Sequence, residues 1–193
     1  MCDIILDEWN YTENDFFGMN SWELFPDNPT IAQSFFTKMR TQVGAAYDIA
    51  VMIELLDHPV DRAHLYDGQR GEFGSLFDQW GNLTKTAHAV LAFNKLIGRK
   101  NRVEATSSLD DVRIAASSND TGADIMISCF ECKGTETTVT IENCDNFTSF
   151  DVYLINDFFA YEKVLSVPVE GSEVKIPISV RPYNVMHISG IKN

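Results

Sequence analysis

The sequence predicts an α/β segment followed by an all-β domain, and two observations carry that reading. A short apolar run, Ile4-Ile5-Leu6, is followed by apolar stripes at helical spacing as far as Ile97. Beyond Arg102 the period changes to two, and seven short alternating runs follow with turn residues between them. Such regular short strands predict an antiparallel β-sandwich.

Taken in order, Asp3–Asn10 reads as a short buried strand, because an unbroken apolar run is what a parallel strand covered on both faces displays. The stretch Tyr11–Thr30 is a long loop holding Tyr11, Phe16, Phe17, Trp22 and Phe25. Asn28-Pro29-Thr30 begins a helical region, with Phe35, Phe36, Met39 and Val43 continued by Ala46, Ile49, Ala50, Ile53 and Leu56. Gly44 is expected to divide it in two, and the small Ala45 and Ala46 permit close approach of a neighbour. His58-Pro59 ends the region, and Val60–Asp67 is the next strand. After a turn over Gly68–Gly74 and a compact loop around Leu76-Phe77-Asp78 and Trp80-Gly81, Thr84 or Thr86 caps a last helix. Ala89, Val90, Phe93 and Leu96 should lean on a sheet, with Gly98 as the C-cap. Arg99–Arg102 marks the expected boundary between domains 1–98 and 102–193. The strands after it are centred on Val112–Ala115, Asp124–Cys129, Thr137–Ile141, Asp151–Ile155, Lys163–Val167, Val174–Ile178 and Asn184–Ile188, and Val103–Thr106 is a candidate eighth.

The chain has 193 residues, enough to bury a sizeable core in one large domain or two small ones. Fifteen basic and 28 acidic residues give a net charge of −13, and no basic run interrupts the chain, so nucleic-acid binding is not expected. No apolar run approaches the length of a membrane span, and no signal segment precedes the first strand. That leaves localisation open. Because the chain begins inside what should be a central strand, it is expected to be the end of a longer polypeptide. The cysteines are Cys2, Cys129, Cys132 and Cys144. Cys129-Phe-Glu-Cys132 has metal or redox spacing, yet no second ligand pair accompanies it, and residues three apart on a strand face opposite ways. Free thiols are therefore expected, with a Cys132–Cys144 bridge as the alternative in an oxidising compartment. Asn-X-Ser/Thr sequons begin at Asn10, Asn82, Asn119 and Asn146. No phosphate-binding Gly-rich loop and no Ser/His/Asp or Cys/His arrangement is present, and neither metal nor cofactor is expected.

The chemistry concentrates in Asp7-Glu8-Trp9-Asn10. An acid beside a large aromatic at the carboxyl end of a buried strand suits a sugar site, the carboxylate reacting while the ring stacks on a pyranose face. A solvated strand end is the plainer alternative. Together with Leu6-Asp-Glu-Trp-Asn10, the order of Gly44-Ala-Ala-Tyr-Asp48, Pro59–Gly68, Leu76-Phe-Asp78 and Thr84-Lys-Thr86 resembles the last quarter of a clan A (β/α)8-barrel glycoside hydrolase, most of all the family 39 β-xylosidase group. The motifs span residues 3–97, and residues 98–193 share only general character.

The resemblance implies the last two β/α units of a TIM barrel followed by the sandwich, with Glu8 as catalytic nucleophile. It places Trp9, Asn10, Trp22, Tyr66 and Asp67 at the substrate, with a carbohydrate as partner. The family usually has Trp where this chain has Tyr66, which leaves the sugar open. His64 is expected to pack in the barrel mouth. A retaining glycosidase needs two carboxyl groups about 5–5.5 Å apart. In the family the acid/base lies in an Asn-Glu pair on strand four, and this chain has no Asn-Glu dipeptide. The pair is thus incomplete and the chain alone should be inactive, unless Asp67 on the adjacent strand meets Glu8. A quarter of a barrel should leave Ile4, Leu6 and neighbouring helix faces uncovered and favour self-association. The competing reading is a non-catalytic carbohydrate-binding or structural module in which the sandwich carries the function.

Overall fold

The structure, a computed structural model, describes residues 3–11, 26–70 and 75–192. It begins with β1 (Ile5–Trp9), α1 (Pro29–Lys38), α2 (Gln42–Leu55), β2 (Arg62–Leu65) and α3 (Lys85–Gly98). Eight strands follow: β3 (Asn101–Val103), β4 (Arg113–Asn119), β5 (Gly122–Ser128), β6 (Thr135–Glu142), β7 (Phe147–Ile155), β8 (Glu162–Pro168), β9 (Glu173–Val180) and β10 (Val185–Lys192). β1 and β2 pair in parallel, with Ile5 opposite Arg62, Leu6 opposite Ala63 and Trp9 opposite Leu65. The later strands form a six-stranded antiparallel sheet in the order β3-β4-β5-β10-β7-β8 and a two-stranded ribbon of β6 and β9.

The inner strands of the six-stranded sheet are covered on both faces, and β5 and β10 are buried almost throughout. On one face Ile127, Phe150, Val152 and Ile188 meet Val174, Ile176, Ile178 and Val180 of the ribbon. On the other, Ala115, Met126, Ile155 and Val185 meet Ala45, Ala46 and Ile49 of α2 and Ala89, Phe93 and Leu96 of α3. The small alanines let the helices come close, and two sheet serines hold them there. Ser117 Oγ donates to the Leu96 carbonyl at 2.5 Å and Ser128 Oγ to that of Ala46 at 2.5 Å. Val90 is only half-buried.

The helical break falls earlier than Gly44. α1 ends at Lys38, and Thr41 caps α2 by accepting from the Val43 amide at 3.3 Å. Gly44 instead lies in the first turn of α2, where a Cβ would collide with the Met39 carbonyl oxygen. Gly44→Ala should therefore cost about 1–3 kcal/mol by forcing the corner open, read as a lowered Tm; an unchanged Tm would mean the corner yields freely. The last helix is capped by Thr84, which accepts from the Ala87 amide at 3.2 Å. Gly98 is the final helical residue rather than the cap, and the left-handed conformation falls on Lys100 at φ 71°.

The expected two-sided burial of the first strand is not found. Ile4 is 52% and Ile5 48% exposed, while Leu6 is half-buried. The physical reason is plain: among the described residues no further strand flanks the β1–β2 pair, and no closed barrel is present. No described helix is long and apolar enough to cross a membrane.

Candidate functional site at the carboxyl ends of β1 and β2

The parallel pairing of β1 and β2 brings the ends of Asp7–Asn10 and His64–Asp67 side by side. The Tyr66 amide donates to the Trp9 carbonyl at 2.8 Å, continuing the ladder past the last paired residues. Asn10 then ties the two ends together: its Nδ2 donates to the Tyr66 carbonyl, while its Oδ1 accepts from the Tyr11 amide at 2.6 Å. Asn10 Nδ2 also lies 3.8 Å from Met39 Sδ, at the corner between α1 and α2. Glu8 is exposed, one residue before the end of β1. Trp9 is half-buried and its Nε1 makes no hydrogen bond. Tyr66 is 42% exposed, and the Tyr66–Asp67 peptide is cis.

Glu8, Trp9, Asn10, Tyr66 and Asp67 thus lie at one end of a single strand pair. Trp22 and Phe16 lie outside the described residues. Asp67 has a local role, since its Oδ1 accepts from the Gln69 amide at 3.1 Å and its carbonyl from the Ser75 amide at 3.2 Å. His64, expected to pack in a barrel mouth, is exposed here and approaches Asp7 at 3.5 Å, because nothing described lies beyond β2 on that side.

Two arrangements of ionisable groups escaped the sequence reading. Asp124 on β5 accepts from Arg99 Nε at 2.5 Å and from His187 Nε2 at 2.7 Å. On its other side His187 Nδ1 is hydrogen-bonded to the Tyr161 hydroxyl at 2.7 Å, and Lys95 Nζ donates to Tyr161 at 3.0 Å. Burial works to raise the Asp124 carboxyl, but hydrogen bonds from His187, Arg99 and Ser189 outweigh it and hold the group at about 2. Burial pushes the Tyr161 phenol up. The second is Asp48 on α2, fully buried, both carboxyl oxygens lacking a hydrogen-bond partner. Burial pushes it well above the usual carboxylate range, so it carries its proton where others are charged. A strand period points each side chain to a face but cannot say which residues of distant strands will meet there. That is why the Arg99–Asp124–His187–Tyr161 chain was invisible.

Cys129, Cys132 and Cys144 are free and buried. No group of three or more His, Cys, Asp or Glu suited to a metal ion occurs among the described residues. A groove of about 350 Å³ lies between β7, β8 and β9, lined by Val152, Leu154, Leu165, Ile178 and Met186 together with Phe158.

No protein-family model matches this chain, and no curated protein matches it. Solved structures do. A glucosidase from Croceicoccus marinus superimposes with a TM-score of 0.74 at 14% identity, over 99% of this chain and 46% of that one. A family 30 endoxylanase from Clostridium papyrosolvens C71 does so at 0.62 and 11% identity, over 98% of this chain and 42% of that one. The family 39 enzyme from Xanthomonas axonopodis pv. citri gives 0.59 at 11% identity, over 80% and 41%. The fold is therefore one found within glycoside hydrolase chains, and this chain spans less than half the length of each of these three.

Proposed function

We propose that this chain is the carboxyl-terminal part of a retaining β-glycosidase of β-xylosidase-like type. On this reading 1–98 form the last two β/α units of a TIM barrel and 102–193 its β-sandwich. The supporting observation is that Glu8, Trp9, Asn10, Tyr66 and Asp67 gather at the carboxyl end of a parallel strand pair, in a fold shared with glycoside hydrolases. Active sites of (β/α)8 enzymes form at that end of the strands. Glu8 would attack the anomeric carbon while Trp9 and Tyr66 offer rings to the sugar. The Asn10 bridge between the strand ends fixes their relative position.

The acid/base partner would come from polypeptide that this sequence does not contain, so the chain alone is expected to be inactive. Supplying the six upstream β/α units, bearing an Asn-Glu acid/base, should restore hydrolysis of aryl β-glycosides. A folded mixture that binds this chain yet stays inactive would overturn the reading. Carbohydrate is the substrate class, and no metal, cofactor or nucleic acid takes part.

The exposed Ile4 and Ile5 on a sheet that has two strands among the described residues favour self-association. The chain alone should scatter light as more than a monomer and bind a hydrophobic dye; a monomer without dye binding would count against open barrel edges.

The groove beside β7 and β8 favours a second reading, a non-catalytic carbohydrate-binding module. Its apolar lining and the 87% exposed Phe158 offer a stacking surface. Polysaccharide retained by the chain, and lost on Phe158→Ala, would favour it.

A further inference from the structure

The Cys129-Phe-Glu-Cys132 motif lies in the connection between β5 and β6, not along a strand. Cys129 stays tied to the sheet, its amide donating to the Asn184 carbonyl at 2.9 Å and its carbonyl accepting from the Tyr183 amide at 2.8 Å. The chain then reverses through Glu131, whose φ is 54°, and the Lys133 amide is anchored on Asp111 at 2.8 Å. This reversal folds Cys129 and Cys132, which a strand would have sent to opposite faces, into one four-residue turn with both side chains buried in the same core. Cys144 shares the same core, but its Sγ donates to the carbonyls of Ile141 at 3.6 Å and Gly171 at 3.7 Å.

We propose that Cys129 and Cys132 form a reversible disulfide modification site, oxidised by exchange with a small external disulfide. One thiol, deprotonated, attacks the external disulfide and expels one equivalent of small thiol, leaving a mixed disulfide. The second thiol, deprotonated in turn, attacks the protein sulfur of that mixed disulfide and expels the other equivalent. Two protein thiols and one external disulfide thus become one intrachain bridge and two small thiols. Burial pushes both thiols up, so little thiolate is present and exchange is slow, proceeding through opening of the turn. The bridge would brace the turn that holds Phe130 against Tyr47 at 5.4 Å and Tyr11 at 6.1 Å, the latter next to Asn10. The proposal stands apart from the glycosidase reading and survives its failure.

The test equilibrates the full chain in glutathione buffers running from fully reduced to fully oxidised. Acid quenching, alkylation and peptide mass analysis then locate the bridges. A peptide lighter by two hydrogen atoms, containing unalkylated Cys129 and Cys132 and retained in Cys144→Ser, supports the site. It should disappear in Cys129→Ser and in Cys132→Ser. Full alkylation of both thiols at the oxidising end overturns the proposal, as does a bridge to Cys144 or Cys2, or a glutathione adduct in place of the bridge.

Discussion

With Glu8 as the proposed nucleophile, its replacement by Gln should lower turnover of aryl β-glycosides by the reconstituted protein by roughly 1,000-fold or more, because the amide cannot form the covalent glycosyl-enzyme intermediate. Gln keeps the shape of Glu and can still hydrogen-bond, so substrate binding should change far less than turnover. Glu8 is exposed near the end of a strand, so the Tm of the variant should match that of the parent. That combination, a lost rate with unchanged stability, separates a chemical role from a structural one. Unchanged turnover would remove Glu8 from the mechanism, whereas a fall in Tm would assign it to packing.

Asp124→Asn should cost about 3 kcal/mol, because removing one member of a buried charged network leaves the others unpaired. For a chain of this size that corresponds to roughly 6–12 °C in Tm. The Asp124 side chain is 1% exposed, and Arg99 and His187 both donate to it. The same substitution should change the acid limb of the stability curve. The folded carboxyl lies at about 2 against an ordinary 3.8, so its contribution is present above pH 3.8 and is lost as pH falls through about 2. That difference corresponds to about 2 kcal/mol at neutral pH. Asp48 has the opposite sign: raised by burial, it lowers stability as pH climbs above 3.8. Equal melting temperatures and identical acid limbs for Asp124→Asn and its parent would mean that the network contributes nothing.

Much of the secondary structure could be read from pattern. All seven strands expected after Arg102 are present, because alternation along β6 and β9 records one buried and one wet face. The caps at Thr84 and the end of α2 before His58-Pro59 follow from local chemistry as well. The break near Gly44 was misplaced because a glycine reads alike whether it ends a helix or admits a neighbour. Here it admits Met39. Ile4-Ile5-Leu6 reads as a strand to be covered on both faces, yet Ile4 and Ile5 are exposed and Leu6 half-buried: an apolar run tells what a strand needs, not whether this chain supplies it.

Alone, then, the sequence determined the order of elements, the switch in period after Arg102 and the acid beside an aromatic at a strand end. Those depend on neighbours a few residues apart, and local sterics and periodicity decide them. Only the tertiary structure decided that α2 and α3 pack on the six-stranded sheet, that Asn10 bonds across to Tyr66, that Asp124 joins Arg99 to His187, and that one turn buries Cys129 and Cys132 in the same core. Such meetings depend on strand order and on the path of single turns, which no periodicity encodes.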